Sequence, residues 1–514
     1  MEFKSRHEFP VVEKLYQPVA PTVHKLEESL ASLRGGYVAV VGTPGSGKST
    51  LLTMVLRSRS ERLVRYYAFV PDSHDPSVLR GESVNFLHDV VLDLERMGFR
   101  AGQGVLEFDR DLLLGRLHAQ LQLLHDDWQT SGRATIILVD GLDHIDREAK
   151  PERSLLLDLP LPEEVPEGVF FVLGSQTDLP LADRIQCEVR KPERRVEMGS
   201  LDKEAVFRIA ENSSVAALLT EEQKQQICTL SSGHPLYLRY LLNRLADGND
   251  KAALQSVLDS AEAYQGNIEN DYYTYWKQAE GEPDVEHLLS LLCRLRTVID
   301  LNWVRTWADS GLLAKLIRLF GHYFRKEDDS RWYFFHDSFR LFLVRTTGEL
   351  SPGLWSPSQD RAHHTQIAEI CSHQVAGSPW AWEELYHWAR AEEHKAVLER
   401  AQPPWFENQL MAFRPIDAIE SDILLAIRSA AALQDPMPLA KLILVGAEMS
   451  QRAWHLERAA ALPVLLALGE KQAAADYVRD GNRIRVSAGV AGSAAQRCRC
   501  VASHEPAIQE FGDG

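Results

Sequence analysis

The sequence predicts a doubly wound parallel α/β sheet in the first 200 of its 514 residues, followed by modules that are almost entirely helical. Three observations support this fold class. Apolar runs typical of strands buried on both faces alternate with amphipathic segments. A glycine-rich turn joins the first apolar run to a helical segment. Beyond the fifth run the alternation stops, and apolar residues recur at helical spacing.

The predicted strands are rich in β-branched and aromatic residues and end at polar or turn-forming residues. Because each of the longer runs is apolar at consecutive positions, we expect them to lie side by side in the centre of a parallel sheet. The runs comprise residues 37–41, 63–70, 134–140 and 169–175, with a shorter one at 195–198 and helices predicted at 83–95 and 109–128.

The first strand runs into a complete G-x-x-x-x-G-K-S loop that opens a helix. Its glycines let successive backbone N–H groups turn inward on phosphates, Lys48 reaches the outer phosphates, and the Ser49 hydroxyl can ligate Mg²⁺ at a positive helix N-terminus. The sequence therefore predicts a nucleotide-binding loop formed by Gly42, Thr43, Pro44, Gly45, Ser46, Gly47, Lys48, Ser49 and Thr50.

An acidic residue, Asp140, stands at the C-terminal end of the third long run, where a Mg-nucleotide site holds its metal. The next residue, Gly141, cannot act as a base. Asp143 is either the residue that orients or deprotonates an attacking water or the N-cap of a following helix, and the sequence leaves both roles open. Together, the loop and Asp140 predict a P-loop NTPase that binds ATP or ADP with Mg²⁺.

The rest of the chain is predicted to be helical apart from an aromatic strand or hairpin at 331–336, which is compatible with a winged helix. Helices near 361–374, 382–400, 418–433, 439–449, 453–468 and 472–480 have short breaks between them and no strict period, as in an α-solenoid. The predicted segments are an N-terminal extension (1–35), the P-loop domain (36–200), a helical domain (201–265), a winged-helix-like domain (266–346), the solenoid (347–480) and an irregular tail (481–514).

The tail loses the helical period and offers no capping pattern for a helical array. We expect that the chain stops inside its solenoid, either as a fragment or through an altered reading frame.

The order of these motifs resembles the STAND class of signal-transduction ATPases, and more closely its NACHT-like branch. The apolar strand that ends in Asp-Gly-Leu-Asp-His is similar to that family's apolar strand followed by Asp-Gly-x-Asp-Glu. The apolar run within 169–176 lies where the family has its sensor strand. A Gly-x-Pro loop and a His-Asp motif point to this family more specifically than the first two motifs do. The matching segments are 42–49, 140–144, 169–176, 233–236 and 335–340.

The resemblance implies that Pro235 packs near the adenine and that His336 contacts the β-phosphate of ADP in a closed state. The alternatives are an ordinary loop proline and a core histidine with a satisfied ring nitrogen. Two positions depart from the family pattern: His144 replaces the usual glutamate, and Ser175-Gln176 stands where a sensor arginine is common. Gln176 can hydrogen-bond a γ-phosphate but adds no charge, so we expect slow hydrolysis.

The amino-acid composition limits the kinds of binding partner that we expect. A formal net charge of −17 repels polyanions over most of the surface, so nucleic acid is not expected as the main partner. No stretch approaches the roughly 18 apolar residues of a membrane span, and the first residues lack the layout of a secretory signal, so we expect a cytoplasmic protein with no membrane partner.

The leading functional hypothesis is a nucleotide-controlled switch. ADP holds the domains closed, and a protein or other macromolecular trigger sensed by the solenoid allows ATP exchange, opening and homo-oligomerisation. No effector is evident, so the output would lie in oligomerisation, in a missing C-terminal part or on an effector protein in trans. The resemblance implies antiviral or programmed-death signalling. A constitutive ATPase acting on a macromolecule and an ATP-dependent transcription regulator are the alternatives.

Overall fold

The chain divides into two compact units, and the boundary in the sequence lies between Trp355 and Ser356. Each unit has its own apolar core and is described by itself. The computed structural model describes residues 9–13, 16–70, 80–102, 109–145, 151, 153–176, 181–246, 251–279, 281–296, 298–328, 330–351, 353–374, 378–412, 414, 416–458, 465, 468, 479–480 and 483–484.

The first unit contains a five-stranded parallel sheet, as predicted. Its strands are β1 (Gly36–Val41), β2 (Arg62–Tyr67), β3 (Thr135–Asp140), β4 (Val169–Ser175) and β5 (Arg195–Glu197). They lie in the order β2-β3-β4-β1-β5. Strand β4 therefore separates β1, which leads into the glycine-rich loop, from β3, which ends at Asp140.

Helices cover both faces of this sheet, which makes it doubly wound. They are α1 (Ala20–Ser32), α2 (Lys48–Arg57), α3 (Ser83–Arg96), α4 (Arg110–Ser131) and α5 (Asp183–Val189). Side chains of α1 and α2 pack with alternate β1 residues on one face. Side chains of α3, α4 and α5 pack with the intervening β1 residues on the other. Such alternation is what a strand buried on both faces requires.

Helix α1 lies within the segment that the sequence predicts only as an N-terminal extension. It begins with a proline at its second position, which suits a first helical turn. Leu26 and Leu30 are buried against the sheet. The α/β layer therefore begins before residue 36.

The remainder of the first unit is mainly helical. A small antiparallel sheet of three strands, in the order β6-β8-β7, follows a helix pair and precedes a last long helix. Tyr272, Tyr323 and Phe339 are fully buried in an aromatic core beside it. The elements are α6 (Lys203–Glu211), α7 (Glu221–Ser231), α8 (Pro235–Ala246), α9 (Lys251–Ser260), α10 (Glu269–Ala279), α11 (Pro283–Leu292), β6 (Ile299–Asp300), α12 (Leu301–Val304), α13 (Ser310–Phe320), β7 (Phe324–Lys326), β8 (Arg331–Phe334) and α14 (Asp337–Gly348).

A short hairpin closes the first unit, in a segment that the sequence assigns to the start of the solenoid (347–480). It consists of β9 (Glu349–Ser351) and β10 (Leu354–Trp355). The Trp355 ring lies so close to Gly348 that a side chain there would overlap it. This contact explains why a segment rich in turn formers is nonetheless ordered.

The second unit is helical through its described core, and its helices differ from the predicted ones at three places. The predicted helix at 382–400 is broken where Glu392 adopts a positive φ of 60°. A helix at 403–411 was not predicted, although two prolines mark its start. The helices are α15 (Pro357–Ser372), α16 (Pro379–Arg390), α17 (His394–Arg400), α18 (Pro403–Met411), α19 (Ile416–Ala432) and α20 (Pro436–Arg458).

The third difference is α20, which covers the whole predicted helix at 439–449 and the start of the predicted helix at 453–468. Most of the residues after 458 lie outside the described part. The predicted helix at 472–480 and the tail fall almost wholly there. The described pieces are β11 (Arg479–Asp480) and β12 (Arg483–Ile484), which pair antiparallel across Gly-Asn in the sequence. None of the described helices combines the length and the apolar character that a membrane crossing requires.

Candidate functional site: the glycine-rich loop and the residues around it

The glycine-rich loop turns sharply between β1 and α2. Gly45 and Gly47 have φ angles of 74° and 89°, in the left-handed region that glycine adopts without strain. A side chain at Gly45 would also overlap Leu236. The Ser46 N–H donates to the Thr43 carbonyl at 3.2 Å, which closes the turn. The loop is thus shaped as a concave row of backbone groups at a helix N-terminus, the arrangement that receives an anion.

Lys48 begins α2 and reaches back over the loop. Its ammonium donates to the Gly42 carbonyl at 2.8 Å and to the Thr43 carbonyl at 3.4 Å. The positive charge therefore lies within the curve of the loop. A bound phosphate would meet both this charge and the N-terminus of α2.

Asp140 ends β3 with a carboxylate that is nearly fully buried, at 1% exposure. Both of its oxygens are buried without a well-formed hydrogen bond among the described residues. Burial raises the pKa of Asp140, and the nearby Ser49 hydroxyl, Gly141 N–H and Lys48 charge only partly oppose this. A buried carboxylate of this kind is stabilised by a cation. Asp140 and Ser49 therefore fit a Mg²⁺ ion.

Gly174 is part of this arrangement, although the sequence analysis missed it. It lies on β4 between the two motif strands, and a Cβ there would overlap Oδ1 of Asp140. Only a residue without a side chain leaves room for the carboxylate. The signal that could have revealed it is a lone glycine within an otherwise apolar strand, which marks close approach of another group.

The start of α8 packs directly on the loop. The Leu236 N–H donates to the Gly45 carbonyl at 3.3 Å, and the Pro235 ring lies 3.8 Å from where a Gly47 Cβ would be. His234 is buried at 5% exposure, and its Nδ1 accepts from the Tyr237 N–H at 3.2 Å, which caps the helix. The sequence placed Pro235 beside the nucleotide but assigned no role to His234.

A stacked pair extends this contact. The His234 ring lies 4.3 Å from the Tyr264 ring, with 17° between their planes. Burial raises the pKa of Tyr264, and a hydrogen bond with Thr43 opposes the rise. The segment between α9 and α10 thus touches the glycine-rich loop, which no pattern in the sequence had indicated.

His336 lies at the start of α14, near enough to Lys48 for that charge to act on its ring. Its Nδ1 accepts from the Ser338 N–H at 3.1 Å, so the ring caps the helix. Burial lowers the pKa of His336 to about 4, and the charge of Lys48 contributes to the shift. The structure thus brings His336 near Lys48, and the ring also serves as a cap that the sequence analysis did not consider.

Asp143 lies in a single 3-10 turn, Leu142–His144, which follows Gly141. The N-cap position of this turn is held by Gly141. Its carboxylate contributes to the electrostatic surroundings of both Asp140 and His336. The position is compatible with a role beside a bound phosphate.

Gln176 follows β4 and lines a small cavity on the side of the sheet that α5 covers, together with Ser175 and Arg190. Because β4 lies beside β1, this residue stands at the same edge of the sheet as the glycine-rich loop. Thr50 lies in the first turn of α2.

We predict that the two capping histidines, His234 and His336, lower the free energy of unfolding in acid. Burial lowers the pKa of His234 and of His336 to about 4, against 6.5 for an ordinary histidine. Between these values the unfolded chain binds more protons than the folded one, so the free energy of unfolding falls as the pH falls from 6.5 towards 4. Thermal unfolding of the nucleotide-free protein over this range measures the effect.

The variants His234→Asn and His336→Asn should flatten that pH profile, because asparagine keeps a capping acceptor without titrating. His118→Asn is the matched control, since the His118 ring is 43% exposed. Profiles of the two capping variants that fall as steeply as the wild type would contradict the prediction.

Comparisons with known proteins return structural similarity only. No protein-family model matches the chain, and a search of curated proteins finds no match. A Walker-type ATPase of Pyrococcus abyssi is 15% identical, with a TM-score of 0.31, over 66% of this chain and 97% of that one. A STAND protein with a tetratricopeptide repeat sensor from Pyrococcus horikoshii is 14% identical, with a TM-score of 0.34, over 97% of this chain and 72% of that one. Cdc6p of Pyrobaculum aerophilum is 12% identical, with a TM-score of 0.31, over 66% and 99%.

Proposed function

We propose that this protein is an ATP- and ADP-binding switch of the STAND type, close to the NACHT-like branch, in which nucleotide exchange is coupled to domain opening and oligomerisation. One observation carries the proposal: elements from distant parts of the chain converge on a single glycine-rich loop. The start of α8 and the segment before α10 contact it, and the start of α14 lies near its Lys48. Whatever occupies the loop would therefore affect how these elements pack.

The residues of the loop divide the work of binding. The backbone N–H groups of Gly45 and Gly47 and the Lys48 ammonium would hold the phosphates, and Ser49 and Asp140 would hold Mg²⁺, which neutralises phosphate charge. Pro235 would lie beside the adenine. His336, which is neutral at pH 7 because its pKa is about 4, would contact the β-phosphate through a ring nitrogen.

We infer that hydrolysis is slow. Asp143 is the candidate to orient an attacking water, and Gln176 the candidate to contact the γ-phosphate. Neither side chain brings a positive charge to the phosphate that would be transferred. Positive charge at that phosphate is the main cause of rate acceleration in phosphoryl transfer. We therefore propose that exchange of ADP for ATP, and not turnover, sets the state of the protein.

A switch of this kind requires a large difference in binding between its states. Moving it from nearly all closed to nearly all open takes about 5.5 kcal/mol. A γ-phosphate with Mg²⁺ that is contacted in only one state supplies part of this difference. The second unit would supply the rest by binding a macromolecular trigger, and the output would follow from homo-oligomerisation or from an effector protein in trans.

The domain from α11 to α14 has the element order helix, strand, two helices, hairpin and helix, and we propose that it is a winged helix. Its use as a DNA reader is disfavoured. The helix α14 follows the hairpin, so the second helix of the helix-turn-helix would be α13. In α13, the Lys315 ammonium is engaged by Glu282 at 2.7 Å.

The test is to purify the protein, identify its bound nucleotide and measure its mass in solution with excess ADP or with a non-hydrolysable ATP analogue and Mg²⁺. We expect ADP to co-purify and to keep the protein in its smaller form, and the analogue to favour a larger assembly once a trigger is present. A protein that turns over ATP rapidly without any trigger would favour the constitutive ATPase. A protein that binds no nucleotide would overturn both functions.

A further inference from the structure

We propose that His144 is a positioning residue that latches the turn after β3 to the start of α14 and thereby slows the release of bound nucleotide. The inference rests on the proposed function, because it concerns how long the site retains ADP. His144 is a position at which this chain departs from the family pattern, and the inference is based on the contacts that His144 makes.

The His144 ring lies between two carboxylates. Its Nε2 is 3.6 Å from Oδ2 of Asp143, and its Nδ1 is 3.3 Å from Oδ2 of Asp337. All three side chains are largely buried, with exposures of 15% for His144, 11% for Asp143 and 7% for Asp337. These are close contacts between polar groups and not formed hydrogen bonds: Nδ1 of His144 and Oδ2 of Asp337 are buried without a hydrogen-bond partner among the described residues.

Both ends of the latch are fixed. The His144 ring stacks on Phe69, with centroids 4.1 Å apart and 9° between the planes, so it has little freedom to rotate. Asp337 accepts from Arg340 Nε at 2.7 Å through its other oxygen. Arg340 in turn donates to the Cys293 carbonyl at 3.4 Å, which ties the pair to the end of α11.

The latch acts on the nucleotide through the neighbour of Asp337. His336 precedes Asp337 and, under the proposed function, contacts the β-phosphate. Holding Asp337 against His144 therefore holds His336 over the glycine-rich loop. Moving α14 away would separate the His144 ring from the Asp337 carboxylate, and a largely buried carboxylate that loses a polar neighbour costs free energy.

The decisive measurement is the rate at which a fluorescent ADP analogue dissociates from the full chain in excess unlabelled ADP. We expect His144→Gln and Asp337→Asn each to speed dissociation about tenfold. The double variant should dissociate no more than about twice as fast as either single variant, because both changes break one interaction. His144→Arg should retain slow release, since a guanidinium can donate to two carboxylates at once.

The matched control is Lys315→Gln, which removes an exposed ion pair with Glu282 in the same part of the unit without touching the loop. It should leave the dissociation rate unchanged. Rates within twofold of the wild type for both single variants would overturn the latch while leaving the proposed function intact. Additive effects of the two changes would overturn it also, because independent structural damage adds. A wild-type protein that binds no ADP would overturn both the latch and the proposed function. If His144→Gln does not fold, the dissociation rate of His144→Arg keeps the test valid.

Discussion

The variant Lys48→Ala is expected to bind ATP and ADP at least about 100-fold more weakly than the wild type, a loss of about 2.7 kcal/mol. The reason is that Lys48 places its positive charge within the curve of the glycine-rich loop, 2.8 Å from the Gly42 carbonyl. Alanine removes the attraction for the phosphates and leaves the carbonyls of Gly42 and Thr43 without this donor, so they repel an anion. Titration with a fluorescent ATP analogue in the presence of Mg²⁺ measures the affinity.

Arg57→Ala is the control for this measurement, because Arg57 ends the same helix and pairs with Glu13 on the exposed surface. It should bind nucleotide as the wild type does. Thermal unfolding of the nucleotide-free proteins shows whether Lys48→Ala is folded, and excess ADP should raise the midpoints of the wild type and of Arg57→Ala but not that of Lys48→Ala. An affinity of Lys48→Ala within threefold of the wild type would refute the assignment of the phosphate site.

The second large effect is expected from Gly174→Ala, which should weaken Mg²⁺-dependent nucleotide binding by about 10- to 100-fold. The added methyl group would overlap Oδ1 of Asp140 and come within 2.9 Å of the Leu52 side chain. Strand β4 has a neighbour on each side, so the backbone has little room to yield, and overpacking of this kind costs about 1–3 kcal/mol. The carboxylate must then turn away from the position in which it would hold Mg²⁺.

Affinities measured with Mg²⁺ and with a chelator separate this effect from general damage. We expect Gly174→Ala and the wild type to bind alike in the chelator, and only the wild type to bind more tightly when Mg²⁺ is added. Gly115→Ala is the control, since the position lies within α4 and a Cβ there meets nothing within 4 Å. Equal gains from Mg²⁺ in Gly174→Ala and the wild type would show that Asp140 does not hold the metal.

The sequence predicted the parts of the fold that local chemistry determines. The long apolar runs became β1 to β4 because each is buried on both faces, and the predicted sheet class is confirmed. Shorter pieces such as β6, β7 and α12 were not predicted. They contain too few residues to show a period, and β6 is stabilised by pairing with β8, which comes more than 30 residues later. The break between α16 and α17 depends on one residue, Glu392, in an unusual conformation.

The candidate site was only partly predictable for the same reason. The loop and Asp140 have a fixed spacing that their chemistry requires, so the pattern alone indicated them. The roles of Gly174, His234 and the partners of His144 depend on which strands and helices become neighbours. Nothing near Asp337 in the sequence indicates that it meets a residue almost 200 positions earlier.

The order of the sheet also determines when the site can form during folding. The neighbours of β1 are β4 and β5, which come more than 100 residues later in the chain, whereas β2 pairs with β3. The strand that leads into the loop therefore has no hydrogen-bonding partner until most of the α/β layer has been synthesised, and closing so long a connection is slow. The pocket around the glycine-rich loop therefore forms late in folding, once the whole α/β layer is complete.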